Sequence, residues 1–349
     1  IKTGLFKKVS FDSAASMIKG LTKELSLKHP GFYRYTTKEK FDAYIDSILK
    51  TMPDSLNELD IYRKLKPIIS KVHCLHTELQ LADTDKEYLN AKPTLFPFQL
   101  YFTGRKAFVI KNYSSDPSIQ PGDEIISINK YTINDILNIL LQAIPSDGYN
   151  LTMKYLALYH FFPTWYRNMI DLSEEFVVKV NRNSAIENYT IKGAKYNDIA
   201  KNGFLNELTF PKQLEFTIED NIGRLTIHSF AKSDIKEGNQ NFERFIKDAF
   251  QELKSKSISS LIIDLRYNTG GSDGYAALLS SYFFDKPYRY WDRIEVTPPI
   301  AEQIRGKYKL FYREPVYKDS AWQWRKARFQ RDFDYYEVQS PAKNMYTGK

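Results

Sequence analysis

Asp264, Arg266, Asn268, Gly270 and Gly271 are the residues whose types and spacing could do chemistry. They punctuate the run Asp264, Leu265, Arg266, Tyr267, Asn268, Thr269, Gly270, Gly271, which directly follows Leu261, Ile262 and Ile263. An apolar run that short suits a strand buried on both faces. The abrupt change to charge, amide and paired glycine reads as that strand ending in a site. The glycines can bring bare backbone N–H groups close to a ligand, or adopt positive φ where a side chain would clash. An ordinary strand-to-helix turn is the other reading of the same residues.

Such a site needs elements to hold it. Ile222, Leu225 and Ile227 belong to an apolar run over 222–228 that leads into Ser229 and Phe230, and it reads as a strand. Phe242, Phe245, Ile246, Ala249, Phe250 and Leu253 then recur at helical spacing before the Leu261 strand. Strand, helix and strand of this length make a βαβ unit, with a right-handed crossover as the default. A further helix is expected over 274–284, after the glycines.

The chain before this point divides in two. Phe11, Ala14, Met17, Ile18, Leu21 and Leu25 predict a helix over 11–27. Thr36 with Glu39, and Ser55 with Glu58, have the spacing of capping boxes ahead of two more helices, the third carrying Pro67. A β-rich stretch follows, with strands expected at 100–102 and 106–110 around a turn at Thr103 and Gly104. A tight turn at Pro121, Gly122 and Asp123 leads into another strand, with a helix over 134–143 and closing strands at 175–180 and 189–192. The aromatic stretch 149–171, with Tyr155, Tyr159, Phe161, Phe162, Trp165 and Tyr166, reads first as a helical packing stripe and second as a substrate surface.

The motif beginning at Asp264 and ending in Gly270 and Gly271 resembles the signature of the S41 serine peptidases, the tail-specific and tricorn-core-like proteases. The resemblance implies that the glycine end supplies an oxyanion-hole N–H, with Asp264, Arg266 and Asn268 as supporting motif residues. The strand ending in Ser229 and Phe230 is similar to that family's first core strand. His76 followed by Thr77, after a helical region, resembles the family's histidine and threonine element, and the resemblance makes His76 the general base. In this chain Leu75 stands where the family often has glycine, and Cys74 where it often has an acid. A hydrogen-bonded structural histidine at a corner is the alternative role. The segment from Pro121 to Asn129 resembles a PDZ domain, a module that binds extended peptides by adding a strand to a sheet edge.

Together these give a multidomain α+β expectation: an N-terminal helical domain over 1–90, a PDZ-like β domain over 91–195 with a helical insertion, and the N-terminal part of a ClpP/crotonase-like α/β peptidase core over 196–349. The expected partner is a peptide or unfolded protein, with no cofactor. A nucleophile is what the sequence does not offer. The family's serine follows a later strand, in a segment resembling asparagine, glycine, any residue, threonine, phenylalanine, serine, alanine. Ser272, Ser280, Ser281, Ser320 and Ser340 have other contexts. Met345 to Lys349 resembles the lead-in to that strand, so this chain is expected to be inactive alone. A non-catalytic peptide-binding protein on a degenerate protease scaffold is the competing expectation.

Composition narrows the classes. At 349 residues two or three domains are expected, and 42% hydrophobic residues suffice for packed cores. With 26% charged residues and no apolar run approaching ~18 residues, no spanning helix is expected. A net charge of +8 permits an anionic partner, but lysines alternate with acids and no basic arm appears, so nucleic acid is not expected. The one cysteine, Cys74, excludes an intrachain disulfide. With only His29, His73, His76, His160 and His228 beside it, no metal centre is expected. The aromatic and basic stretch 286–349 is expected to be ordered and β-leaning. Export to a periplasmic or surface-lipoprotein location is implied by the family resemblance alone.

Overall fold

Local capping sets the first helices of the computed structural model, which describes residues 4–205, 209–283 and 295–300 together with the backbone of strands between 311 and 337. The chain forms two compact units, 1–206 and 207–349, so the expected helical and β-rich regions lie in the same unit.

In the first unit, β1 (Lys8–Ser10) runs into α1 (Phe11–Lys28), where the Ser10 hydroxyl accepts the Ser13 N–H. Helix α2 (Lys38–Leu49) starts at Thr37, which accepts the Lys40 N–H. Strand β2 (Ser55–Asn57) pairs antiparallel with β1, and α3 (Glu58–Ser70) begins at Asn57 with a reciprocal capping box to Asp60. The caps thus fall at Thr37 and Asn57, one and two residues beyond Thr36 and Ser55. Ser55 is committed to the β1–β2 ladder opposite Ser10, which keeps the backbone extended through Asn57. Phe32, Phe41, Ile45, Leu65 and Ile68 bury the shared helix faces. Helix α4 (Asp83–Asn90) closes this part.

Six strands follow: β3 (Phe98–Thr103), β4 (Lys106–Asn112), β5 (Glu124–Ile128), β6 (Tyr131–Thr132), β7 (Glu175–Arg182) and β8 (Ala185–Lys192). The order is β3-β4-β5-β7-β8, with β6 paired to β5, and every pairing is antiparallel. Helices α5 (Ile133–Ala143) and α6 (Leu151–Met169) join β6 to β7. Alternate strand residues Phe98, Leu100, Ile125, Val178 and Val180 pack on Ile136, Leu140, Phe162 and Tyr166 of the helices. Each such side chain contributes roughly 1.5–3 kcal/mol by leaving water. The aromatic stretch is therefore a packing helix. It is kinked at Phe161 (φ −134°, ψ 20°), two residues before Pro163. Arg63 of α3 donates to the carbonyls of Arg167 and Asn168, and buried Ser70 donates to Ile144, which ties the helical part to the sheet part. Helix α7 (Tyr196–Ala200) ends the unit.

The second unit opens with β9 (Leu214–Glu219), hairpinned to β10 (Ile222–Ile227) through Asp220 and Asn221, both at positive φ. Leu214, Phe216 and Ile218 alternate with Glu215, Thr217 and Glu219, the pattern of a strand with one apolar face, which the sequence reading passed over. After α8 (Lys232–Glu237) and α9 (Phe242–Ser255), β11 (Ser260–Asp264) pairs parallel with β10, which completes the βαβ unit. Leu261 and Ile263 join the core of Leu225, Ile227, Ile246 and Leu279, while Ile262 and Leu265 are each 44% exposed. The strand is therefore not buried on both faces as its apolar run suggested. Among the described residues it ends a three-stranded sheet of order β11-β10-β9, and only one of its faces is covered. Helix α10 (Asp273–Ser281) follows.

The aromatic and basic stretch forms β12 (Glu295–Val296), β13 (Phe311–Lys318), β14 (Ala321–Arg328), β15 (Gln330–Asp332) and β16 (Tyr335–Glu337), all paired antiparallel. Ser320, Ser340 and the stretch Met345 to Lys349 lie outside the described residues. No helix among the described residues is long and apolar enough to cross a membrane.

Candidate functional site

The motif predicted to carry chemistry is assembled where β11 ends. Asp264, its side chain 10% exposed, receives the Arg266 guanidinium through both carboxylate oxygens, with Arg224 of β10 3.7 Å away. The Arg266 side-chain and backbone hydrogen bonds hold the Asp264 carboxyl down at about 2 from its ordinary 3.8. A carboxyl depressed on folding stabilises the fold above its ordinary value, and that stability drains away as pH falls through about 4 towards about 2. In urea titrations at low salt, the native chain should lose stability faster than Asp264→Asn over this window. Parallel pH profiles for the two would refute the ion pair as a contributor. Arg266 is largely solvent-exposed, so raised salt should shrink the difference.

Beyond Asp264 the backbone turns sharply, with Tyr267 at φ +67°. The Asn268 amide fastens the turn in two directions. Its Nδ2 donates to the Ile227 carbonyl at the end of β10 (2.9 Å), and its Oδ1 accepts the Gly270 N–H (2.7 Å). Gly270 (φ +104°) and Gly271 (φ +136°) both sit where L side chains are strained. Gly271 forms a parallel bridge to Phe230: Phe230 donates to the Gly270 carbonyl (2.9 Å), and Ser272 donates to the Phe230 carbonyl (2.9 Å). In a parallel bridge the flanking groups make the bonds and the central residue's own N–H and C=O point the other way. The Gly270 N–H is thus consumed by Asn268, whereas the Gly271 N–H has no hydrogen-bond partner among the described residues.

Around this N–H lies a cleft of about 280 Å³, lined by Phe230, Leu265, Asn268, both glycines, Ser272, Asp273 and Ala276. Ser272 is the N-cap of α10 and makes no capping bond with its side chain. The helix start adds partial positive charge to the same cleft. Buried Ser229 donates to Asp234 (2.8 Å) and accepts the Ala231 N–H (2.9 Å), which holds the opposing Phe230 wall in place. The arrangement can accept a small anion or an oxygen that gains negative charge.

His76 belongs to the other unit. It is exposed, at the third position of a turn closed by the Thr77 N–H on the Cys74 carbonyl (3.1 Å), and residues 77–82 directly after it form no strand. The irregular chain after it is pinned by Lys66. Lys66 of α3, 2% exposed, reaches Glu78 (2.9 Å) and the Leu79 carbonyl (2.7 Å). The structure thus groups Asp264, Arg266, Asn268, Gly270 and Gly271 in one unit and places His76 in the other. The sequence reading missed Asp147. The donor atoms of Cys74, His76 and Asp147 lie within 4.8 Å of one another, a metal-capable set where none was expected. The expectation counted only histidines and cysteines, and an aspartate far along the chain carries no local signal.

Residues 221–304 match the family model described as peptidase family S41. The chain is similar in structure to mature CPAF complexed with lactacystin, with TM-score 0.53 and 14% identity over 85% of this chain and 63% of that one. It is likewise similar to mature CPAF alone, with TM-score 0.52 and 15% identity over 85% of this chain and 62% of that one. It therefore spans less than two thirds of either structure's length, and at such identity the likeness shows the fold alone. No curated protein matches the sequence. The family match begins in the β9–β10 turn and takes in β10, the crossover, β11, the glycine pair and α10. Over residues 221–304 the chain is thus similar to peptidase family S41.

Proposed function

We propose that the protein is a serine-type endopeptidase component acting on unfolded or C-terminal peptide substrates, with the Gly271 N–H as an oxyanion donor and His76 as general base. The observation that carries the reading is the division of labour between the two glycines. Asn268 ties down the Gly270 N–H, whereas the Gly271 N–H has no partner among the described residues, and Gly271 lines the cleft beside the start of α10. A donor held rigidly by a bridge and an amide lock costs no reorganisation when charge develops on a carbonyl oxygen. Within these 349 residues no serine has the strand context the family uses, so the chain by itself supplies a donor and a base and hydrolyses nothing. The β-rich sheet, with the turn in which Asp123 accepts the Gln120 N–H and the Arg182 guanidinium, is proposed as a PDZ-type peptide-gripping module. Export to an extracytoplasmic compartment is part of the same proposal and rests on the family resemblance.

A serine-directed fluorophosphonate probe tests this. We expect labelling of the protein expressed from its complete reading frame, at a serine outside residues 1–349, reduced by at least about a hundredfold in His76→Gln, and no labelling of the 349-residue chain. Absence of labelling in both would overturn the peptidase reading, and saturable binding of unstructured peptides alongside it would establish the non-catalytic alternative. Labelling that is indifferent to His76 would remove that residue as the base.

A further inference from the structure

We infer that Cys74, His76 and Asp147 form a binding site for a divalent transition-metal cation of the zinc class, with one coordination position open. Three unlike donors converge here: a thiol, an imidazole and a carboxylate, all within 4.8 Å of one another. Zinc is bound by this donor set, and three protein ligands with a fourth, open position is a recurrent arrangement. With Zn–S about 2.3 Å and Zn–N about 2.0 Å, tetrahedral ligand atoms lie roughly 3.5 Å apart. The remaining distance is to be closed by rotation of the exposed His76 ring.

The backbone is already prepared. The Leu75 N–H donates to Asp147 Oδ1 (2.8 Å), which fixes one oxygen of the carboxylate. The Gly148 N–H donates to the His73 carbonyl (3.0 Å), and His73 Nδ1 lies 2.8 Å from the Gly148 carbonyl. Tyr149 and Tyr35 pack their rings on His73, so the two ligand loops are laced together at His73. A nucleophilic Cys–His–Asp relay would need the imidazole hydrogen-bonded between the other two, and no bond joins the His76 ring to either among the described residues. Convergence without mutual hydrogen bonds is what a cation completes. Thiolate and carboxylate together neutralise the two positive charges. The His76 lone pair can serve a cation or a proton, one at a time. Metal occupancy therefore withdraws the base proposed above, but the metal site itself does not depend on that role.

Equilibrium dialysis of tag-free protein against Zn²⁺ and against Co²⁺ tests the site. We expect one metal per chain, a near-ultraviolet thiolate-to-cobalt charge-transfer band that Cys74→Ser abolishes, and zinc protection of Cys74 from iodoacetamide. Asp147→Asn keeps an acceptor for the Leu75 N–H and should weaken metal binding by more than about tenfold. Amide exchange across residues 98–192 in each variant verifies that the unit is folded. No stoichiometric binding at micromolar metal, or binding as strong as the native protein's in Cys74→Ser and in Asp147→Asn with the fold intact, overturns the inference. Because every readout is metal content, absorbance or alkylation, failure of the peptidase reading leaves this outcome unaffected.

Discussion

Gly271→Ala should destabilise the second unit by about 3 kcal/mol or more, whereas Gly270→Ala should cost only about 1–2 kcal/mol. The two residues are neighbours, both at positive φ, so backbone strain is common to them. Space separates them. A Cβ on Gly271 would lie 2.2 Å from both the Ala231 nitrogen and the Phe230 carbonyl carbon, backbone atoms that cannot swing aside, whereas a Cβ on Gly270 meets nothing within 4 Å. The Phe230 bridge would have to part, and with it the wall of the cleft and the placement of the Gly271 N–H. Hydrogen exchange reports this by region. In Gly271→Ala, amides over 222–282 should exchange faster while those over 98–192 keep their native rates. Equal costs for the two substitutions would show that the close approach to Phe230 does not exist in solution.

Glu78→Ala should be the most damaging single change near His76, at about 1–3 kcal/mol. Lys66 is almost wholly buried. Burial pushes its ammonium down from the ordinary range, and the Glu78 hydrogen bond and charge pull it back up. Removing Glu78 leaves that ammonium inside the protein with the Leu79 carbonyl and the face of Trp165, 5.0 Å from the ring centroid. The cost is below that usual for breaking a buried pair because Glu78 is 37% exposed and water shares its charge. Lys66→Met removes the charge and keeps the volume, so it should cost less than Glu78→Ala, and the double variant should resemble Lys66→Met alone. Urea unfolding of the three variants decides it. If Glu78→Ala were the mildest of them, the pair would be a surface contact with no hold on the segment after His76. That segment should also exchange its amides faster in Lys66→Met, because both of its anchors are then gone.

Several parts of the molecule were legible from local pattern. The helix of 11–27 ends one residue later, at Lys28, the helix of 134–143 begins one residue earlier, at Ile133, and the βαβ unit forms in the expected order. These elements are periodic and amphipathic, and an apolar stripe reports its own secondary structure before any partner is known. Cap positions were less legible. Thr36 and Ser55 have the right chemistry, but strand pairing and the course of the chain moved the caps to Thr37 and Asn57.

The site divides along the same line. The run from Asp264 to Gly271 contains, in residue types alone, a strand end, a charge clamp, an amide lock and two positions that only glycine fills without strain, and these determine that backbone N–H groups approach something closely. Only the tertiary structure decided which N–H is available, because the choice depends on Phe230 lying against Gly271 and on the Ile227 carbonyl lying within reach of Asn268. It likewise decided that Ile262 faces outward, since burial of a strand's second face depends on what covers it. It also decided that Asp147 stands beside Cys74 and His76, because convergence of side chains from distant loops is a property of the folded backbone and leaves no periodic trace in the sequence.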